Sequence, residues 1–317
     1  MVQLDKPSCW SEHGALQTVL VCSPSEQSIP SLQVAENVQW SAPVQQKKAL
    51  ENFHTFILTL QQEGIHTIDY SLHLDAVTQR LSEQLINRFF VRDLACVFGN
   101  KIFPGVAGSF MRRPEYDQVH DLLDKWFPDA FIKEAKQGLK ALEYGDVLIL
   151  NSDAIFINIG MRTSLESVEQ MMENLFQAGF SEIGVISLPR RADTLHLDMN
   201  CNVANEDLVV AKSYMRFLPV HLTNAEGIQW YDMAEQFLNR HGFSVYWLEK
   251  YETIPDINFL NIDPETILIS KQAHKQMLQS HPKLKHKRFL EIDVSELEKA
   301  GGGIRCMTLP LLRKRSI

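Results

Sequence analysis

The sequence contains few cysteines and none of the spacings that would make them structural. Its 317 residues include five cysteines, an odd number, with no C-x-x-C pair. A disulfide framework needs an even set of cysteines, and a thiolate metal site needs closely spaced pairs. The sequence therefore predicts neither, and at least one thiol must be free.

Long apolar segments are also missing. The longest central apolar stretch, residues 146–160, is broken by the polar turn Asn151-Ser-Asp153 and falls well short of the roughly 20 residues that a membrane span needs. The first ten residues carry an acidic and a basic side chain and lack the apolar core of a signal peptide. We therefore expect a cytoplasmic protein with no membrane partner.

An excess of basic residues is absent as well. The 31 Lys and Arg against 39 Asp and Glu give a net charge of −8, and such a surface repels phosphate backbones unless its bases are concentrated. Two basic clusters, 283–288 and 313–315, are short and typical of a solvated edge. We therefore predict no nucleic-acid partner.

What is present is an ordinary globular composition. Hydrophobic residues make up 45% of the chain and charged residues 22%, which is enough to bury a sizeable core and too apolar for a disordered chain. No Pro/Gly/Ser-rich linker or low-complexity stretch divides the sequence. The simplest organisation is one domain over residues 1–317.

Short strands alternate with single helices along this domain. Apolar residues recur at helical spacing between 45 and 63, and Gly64 supplies the stop. A capping box from Thr163 to Glu166 predicts a second helix that ends at Ala178. Further helices are predicted at 114–127 and 231–240, and strands at 65–70, 89–98, 146–150, 154–159, 184–188, 195–203, 208–211, 244–249, 266–270 and 288–292. The pattern indicates an α/β fold and leaves open whether the sheet is open or a ring of βαβ-like units.

The segment Gly301-Gly-Gly-Ile-Arg-Cys306 is the most informative stretch. Three adjacent glycines suit a sharp bend or a close approach of backbone to a ligand. A cysteine three residues beyond such a bend is expected to be partly exposed, and the alternative is a buried structural cysteine. The other cysteines lack such a setting and are predicted to be packing residues: Cys9, Cys22, Cys96 and Cys201.

Three other motifs bring titratable groups together, although a structural role is the better explanation of each one alone. His196-Leu-Asp198 lies in a predicted strand, where residues i and i+2 point to one face, so the imidazole and the carboxylate would emerge side by side. Glu143-Tyr-Gly-Asp146 sets two carboxylates around a glycine before an apolar strand. The segment 87–93 ends in an Arg-Asp pair. Their structural alternatives are a core histidine, a capping acid and a plain salt bridge.

Taken together and in order, these motifs resemble those of the guanidino-group-modifying enzyme superfamily, which contains arginine deiminases, dimethylargininases and amidinotransferases. The set is Phe90-Val-Arg-Asp93, Glu143-x-Gly-Asp146, Gly160-Met-Arg162-Thr-Ser164, His196-Leu-Asp198 and Gly301-Gly-Gly-Ile-Arg-Cys306-Met-Thr-x-Pro. The glycine run before Cys306 and the acid-x-Gly-Asp motif are most similar to arginine deiminase. The resemblance implies a five-bladed α/β propeller (pentein) of ββαβ units.

The resemblance also implies a role for each matching residue. The implied catalytic residues are the nucleophile Cys306, the general acid–base His196 and the acid Glu143 that orients it. The implied substrate-binding residues are Asp93 and Asp198 for the guanidinium, Arg162 and Asn87 for the amino-acid end, and the further acid Asp146. Deiminases usually carry an Arg two residues after the proline that matches Pro114; here that residue is Tyr116, and Arg112 or Arg113 is the alternative cation.

The chemistry of a guanidino substrate agrees with this division of roles. A guanidinium is planar and presents N–H donors that meet carboxylates in bidentate fashion. A thiolate can then attack its central carbon, and a histidine can protonate the leaving amine, with no metal and no cofactor. We therefore predict a cysteine-dependent hydrolase that releases ammonia or an amine from arginine or a related guanidino compound. The alternatives are an amidinotransferase and a non-catalytic binding protein on the same fold; the sequence leaves an oligomer possible.

Overall fold

The computed structural model describes residues 4–25, 29–38, 40–249 and 254–315. Within these residues the strands are β1 Leu16–Val21, β2 His66–Asp69, β3 Ala95–Phe98, β4 Lys101–Pro104, β5 Val147–Ile149, β6 Ala154–Ile159, β7 Glu182–Ser187, β8 Cys201–Asn205, β9 Leu208–Lys212, β10 Pro219–Asn224, β11 Gln229–Met233, β12 Ser244–Leu248, β13 Leu260–Asp263, β14 Thr266–Ser270, β15 Arg288–Ile292 and β16 Leu309–Arg313. The α-helices are α1 Leu32–Asn37, α2 Gln46–Gln62, α3 Ala76–Ser82, α4 Arg113–Trp126, α5 Leu165–Gln177, α6 Ala234–Arg240, α7 Lys275–Gln279 and α8 Ser295–Glu298. The mixed α/β class is confirmed.

These strands form five sheets, and four of the sheets share one local order. In each of the four, a central strand has an antiparallel partner on one side and a parallel partner on the other: β16-β1-β2, β5-β6-β7, β8-β9-β12 and β13-β14-β15. At least one helix separates the two parallel strands along the chain, as a crossover between parallel strands requires. The fifth sheet is the β3-β4 pair, and the β10-β11 hairpin extends the second sheet.

Two of the four sheets follow the order ββαβ along the chain, β5-β6-α5-β7 and β13-β14-α7-β15, which is the unit that the resemblance implied. Strand pairing among the described residues closes neither a barrel nor a propeller. The sheets alone therefore do not establish a five-bladed arrangement.

Two helices test the predictions from periodicity and capping. Helix α2 buries Ala49, Phe53, Phe56 and Leu60 along one face, and Gly64 follows it with a φ of +76°; the predicted helix is confirmed. Helix α5 is also present, but the predicted cap is wrong by one residue. Ser164 caps the helix by accepting the backbone N–H of Ser167, because Thr163 instead accepts a hydrogen bond from the backbone N–H of Glu143.

Two predicted strands are wrong where they cross the motifs. The segment 195–203 becomes a strand only at Cys201, and Leu197–Met199 forms a 3₁₀ turn. The backbone there is held by side chains, since Asp146 Oδ1 accepts the N–H of Leu197 and Asn200 Nδ2 donates to the carbonyl of His196. Likewise the strand predicted over 89–98 begins at Ala95, after a 3₁₀ turn over Val91–Asp93.

No helix in the described part of the chain combines the length and the apolar character needed to cross a bilayer. The longest one, α2, is amphipathic and carries polar residues on its outer face.

Candidate active site

One cavity of about 720 Å³ collects side chains from widely separated parts of the chain. Its wall is formed by residues 38, 40 and 143 and by some members of the ranges 87–93, 108–112, 161–162, 192–199 and 300–306. The turns at 91–93 and 197–199 described above lie beside this wall. Loops held by side-chain hydrogen bonds, rather than strand faces, therefore position most of the cavity's polar groups.

Cys306 lies in the cavity wall and is 4% exposed. The expectation of partial exposure is therefore wrong, because Gly302 and Gly303 pack tightly against Phe90 and Asn258 and close over the cysteine. The Sγ atom accepts a hydrogen bond from Asn258 Nδ2 at 3.2 Å and lies 3.6 Å from Asp198 Oδ2. Burial, together with the Asp198 and Asp93 carboxylates, raises the pKa of the Cys306 thiol well above its usual value.

His196 faces the same cavity between two carboxylates. Its Nε2 atom is 2.9 Å from Glu143 Oε2, and its Nδ1 atom is 3.8 Å from Asp93 Oδ1. Although burial opposes the charged form, the Asp93 carboxylate and the Glu143 hydrogen bond raise the pKa of His196 to about 10. At neutral pH the ring is therefore an imidazolium, which suits a proton donor.

Glu143 connects this histidine to the surrounding loops. The side chain is completely buried, with Oε1 accepting the backbone N–H of Gly108 at 2.8 Å and lying 3.7 Å from Arg162 Nη1. The structural alternative for Glu143, a capping acid, does not fit these contacts. The structure brings Glu143 and His196 together as the motif comparison implied.

Asp93 already holds a guanidinium, that of Arg112. Asp93 Oδ2 pairs with Arg112 Nη1 at 2.5 Å, and Oδ1 accepts the backbone N–H of Gly145 at 2.9 Å. Arg112 also donates to the carbonyl of Phe90 and to Glu115. Although burial opposes ionisation, the His196 and Arg112 cations keep the pKa of Asp93 below its usual range. The plain salt bridge between Arg92 and Asp93 does not form, because Arg92 turns to Thr308 and the carbonyl of Arg305.

The two remaining acids lie behind the cavity wall and are fully buried. Asp198 Oδ2 pairs with Arg305 at 2.8 Å, whereas its Oδ1 atom has no hydrogen-bond partner among the described residues. Asp146 accepts hydrogen bonds from Asn158 and from the backbone of Leu197, and burial raises the pKa of Asp146 to about 7. These contacts give Asp146 a place beneath the His196 turn, where it supports the turn rather than facing the cavity.

Asn87 and Arg162, which the comparison of motifs assigned to the amino-acid end of a substrate, both line the cavity. Asn87 Oδ1 accepts a hydrogen bond from Trp40 Nε1 at 3.0 Å, which fixes the amide. Arg162 Nη1 has no hydrogen-bond partner in the part of the chain that the structure describes. Of the two alternative cations, Arg112 lines the cavity, and Arg113 lies over the ring of Phe110.

Sequence reasoning missed two residues of the site and underestimated a third. Asn258 contacts the backbone N–H of Cys306, its thiol and the carbonyl of Asp198, but no motif surrounds it. From the sequence, Arg112 is expected only as a substitute cation. Gly145 stands in the acid-x-Gly-Asp motif, and a Cβ atom there would lie 2.7 Å from both Asp93 Oδ1 and His196 Nδ1. Only glycine therefore fits between the two groups.

Asp93, Glu143 and His196 also offer three ligand atoms within 4.8 Å of one another, a spacing compatible with a metal ion. Their atoms are used in the ion pair with Arg112 and in the Glu143–His196 hydrogen bond. The expectation that the site needs no metal stays a prediction.

Comparisons with known proteins identify relatives of this chain. The uncharacterized protein YkgA of Bacillus subtilis strain 168 is 25% identical over 310 residues, which cover 97% of this chain and 96% of that protein. Arginine deiminase of Listeria monocytogenes strain EGD-e is 25% identical over 271 residues, which cover 73% of this chain. The match spans 62% of that enzyme, less than two thirds of its length.

Solved structures support the fold. A dimethylarginine dimethylaminohydrolase in an adduct with S-methyl-L-thiocitrulline matches with a TM-score of 0.69 and 18% identity, over 93% of this chain and 99% of that one. An amidinotransferase of the saxitoxin biosynthetic pathway from Microseira wollei matches with a TM-score of 0.67 and 16% identity, over 98% of each chain. The family model of arginine deiminase matches residues 24–313. The chain therefore belongs to the arginine deiminase family.

Proposed function

We propose that the protein is a cysteine-dependent hydrolase of arginine or a closely related guanidino compound. The observation that carries this proposal is one cavity in which the Cys306 thiol, the His196 imidazolium and a guanidinium-binding carboxylate, Asp93, meet. Residues 1–317 would then act as a single catalytic domain. The repeated ββαβ order and the likeness to solved hydrolase and amidinotransferase folds support a five-bladed pentein arrangement of the sheets.

Substrate recognition would begin with the two aspartates. Asp93 pairs with the guanidinium of Arg112 through Oδ2 in the structure, and a substrate guanidinium can make the same kind of charge-assisted hydrogen bond. Asp198 keeps one buried oxygen without a partner among the described residues, and such an atom is stabilised by a cationic N–H donor. Arg162 and Asn87 are left to meet the anionic and polar end of the substrate.

The thiol would ionise when the substrate binds. Burial and two carboxylates hold it neutral in the free protein, whereas a bound cation between those carboxylates favours the thiolate. The thiol proton leaves to solvent, and Asn258 Nδ2 remains hydrogen-bonded to the sulfur. The thiolate then attacks the central carbon of the guanidinium, forming a C–S bond.

His196 would serve both half-reactions. The imidazolium gives its proton to the leaving nitrogen as the C–N bond breaks, so ammonia or an alkylamine departs and a cationic amidino-cysteine remains. The neutral ring next takes a proton from water, whose oxygen attacks the same carbon. Collapse breaks the C–S bond and returns the thiolate, and the ureido product loses its extra proton to solvent. Glu143 holds the ring in the orientation that both transfers need.

An amidinotransferase is the second candidate, because the amidinotransferase of Microseira wollei shares this fold over nearly the whole length of both chains. The covalent intermediate would be the same, and only the acceptor of the amidino group would change from water to an amine.

Incubation with arginine is the direct test of the proposal. We expect citrulline and ammonia in equal amounts, measured by chromatography and an enzyme-coupled ammonia assay. Ornithine that forms only when glycine or another amine is added would identify the transferase instead. Absence of every product from arginine and from a panel of N-alkylated and shortened guanidino compounds would contradict both candidates.

Asp93→Asn is expected to raise KM for the guanidino substrate by roughly tenfold to a hundredfold, because a neutral amide gives no charge to the guanidinium and presents donors where donors already lie. Steady-state kinetics measures the change, and thermal unfolding checks that the variant folds. Asp69→Asn is the matched control, since Asp69 also accepts backbone N–H bonds but does not line the cavity. An Asp93 variant with the KM of the parent would remove Asp93 from substrate recognition.

A further inference from the structure

A row of buried ion pairs leads from Glu12 to the Cys306 thiol. Glu12 Oε1 lies 2.8 Å from Arg305 Nη2, and Arg305 Nη1 lies 2.8 Å from Asp198 Oδ2. The same Asp198 oxygen is the one 3.6 Å from the sulfur. All four residues are buried, and Glu12 precedes the segment 24–313 that the family model matches.

Backbone hydrogen bonds and an ion pair fix the position of Glu12. Its backbone N–H donates to the carbonyl of Ile149 at 3.0 Å, and its own carbonyl accepts from Asn261 Nδ2. Although burial opposes ionisation, Arg305 and Arg92 lower the pKa of Glu12 to about 2, so the group is a carboxylate at every working pH. The guanidinium of Arg305 is therefore shared between two carboxylates, and its Nη2 also donates to the carbonyl of Val147.

We propose that Glu12 is a positioning residue of the active site, which acts through Arg305 to hold the Asp198 carboxylate beside the Cys306 thiol and to keep its charge available to a cationic substrate. Paired with Arg305 alone, Asp198 would be largely neutralised. With Glu12 as a second counter-ion of Arg305, the cation is shared between two carboxylates, and Asp198 keeps more of its negative charge for the substrate guanidinium. The identity of the substrate in this inference rests on the proposed function. The link from Glu12 through Arg305 and Asp198 to the Cys306 thiol does not.

The effect of a substitution at Glu12 depends on the charged and titratable groups around Glu12 and around the Cys306 thiol. Cations facing Glu12 are Arg305, Arg92 and Arg313; the neighbouring titratable groups are His13, Cys9 and Cys96. Burial lowers the pKa of His13 to about 4 and raises the pKa of Cys9 to about 12, so neither titrates near neutral pH. Groups facing the thiol are Asp198, Asp93, Arg305 and, across the cavity, His196 and Glu143.

Glu12→Gln is therefore expected to change two measured properties: the pH at which Cys306 is alkylated, and KM for arginine. The loss of one negative charge leaves the Arg305 cation less compensated, and a cation beside the thiol favours the thiolate. Alkylation of Cys306 by iodoacetamide without substrate should shift to lower pH by roughly half a unit or more. KM for arginine should rise by roughly tenfold, because the site is less negative.

The experiment follows the Cys306-containing peptide by mass spectrometry across a pH series, alongside steady-state kinetics with arginine. Glu12→Asp restores the charge one methylene further from Arg305, so its alkylation profile should fall between those of the parent and Glu12→Gln. Glu182→Gln is the matched control, a buried glutamate paired with Arg240 away from the cavity, and it should leave both properties unchanged.

The outcomes separate this inference from the proposed function. A Glu12→Gln profile identical to the parent, or an equal shift in Glu182→Gln, overturns the positioning role. If Glu12→Gln does not fold, Glu12→Asp alone decides, and an unshifted profile in it likewise overturns the role. The alkylation needs no turnover, so a shift in a protein that leaves arginine unchanged would sustain the link to the thiol and refute only the proposed substrate.

Discussion

Cys306→Ser is expected to lose turnover by a factor on the order of 10⁴ or more while keeping its fold and its affinity for the guanidino substrate. A serine hydroxyl is far less acidic than a thiol in the same surroundings, and removal of a nucleophile that acts within a set of cooperating groups costs nearly all of their joint effect. The small hydroxyl fits the space of the sulfur and can still accept a hydrogen bond from Asn258.

Three measurements test this prediction. Single-turnover kinetics measures the loss, calorimetric titration with arginine measures binding, and thermal unfolding measures stability. Cys22→Ser is the control, because Cys22 is equally buried, lies away from the cavity and has a carbonyl, that of Ser23, within reach of a hydroxyl. A Cys306 variant that turns over within tenfold of the parent would exclude covalent catalysis by this residue.

His196→Gln is expected to slow turnover by roughly 10²–10⁴-fold, the usual loss on removing a general acid–base group. Glutamine keeps hydrogen-bonding capacity towards Glu143 but delivers no proton to the leaving amine and takes none from water. Because the pKa of His196 is raised to about 10 by Asp93 and Glu143, against the effect of burial, activity in the parent should fall as pH rises through about 10. That alkaline limb should be absent from the variant.

Two readouts follow the His196 variant. Mass spectrometry after mixing with substrate detects an amidino adduct on Cys306, which accumulates if the second half-reaction is the slower one. The pH dependence of kcat is the decisive comparison. His120→Gln is the control, because His120 is a buried histidine hydrogen-bonded to the carbonyl of Leu94 outside the cavity. Parent-like rates across the pH range in the His196 variant would force the whole set of catalytic roles to be reassigned.

The fold was predictable where local pattern determines it. Helix α2, strands β6 and β14 and the parallel strand β15 follow from periodicity and turn residues close in sequence. The hairpin β10-β11 was not predicted: β10 is held in the sheet by pairing with the distant strand β7, and β11 pairs with β10. The cap of α5 was misassigned for a similar reason: Thr163 and Ser164 both offer a hydroxyl, and a distant backbone N–H, that of Glu143, decides between them.

The candidate site was predictable from motifs more than from geometry. His196 and Asp198 are both found at the site, but on a 3₁₀ turn rather than on one face of a strand, so the geometric argument for their proximity was wrong. Asn258 and Glu12 stand in no recognisable pattern, and their partners are 48 and 293 positions away along the chain. Long-range hydrogen bonds of this kind are consequences of the assembled fold and leave no trace in local spacing.

The pairing of β1 with β16 has a consequence for how the chain is made. Arg313 and Gly14 are hydrogen-bonded although 299 positions separate them, and at the usual rate of synthesis the second strand leaves the ribosome roughly 15–60 s after the first. During that interval β1 can pair with β2 but presents its other, strongly apolar edge to the cell, and an unpaired edge of this kind is a site of aggregation. Cys306 is translated only a few residues before the strand that closes this edge. One edge of β1 is therefore without its partner strand for most of the chain's synthesis, and slower translation lengthens that interval.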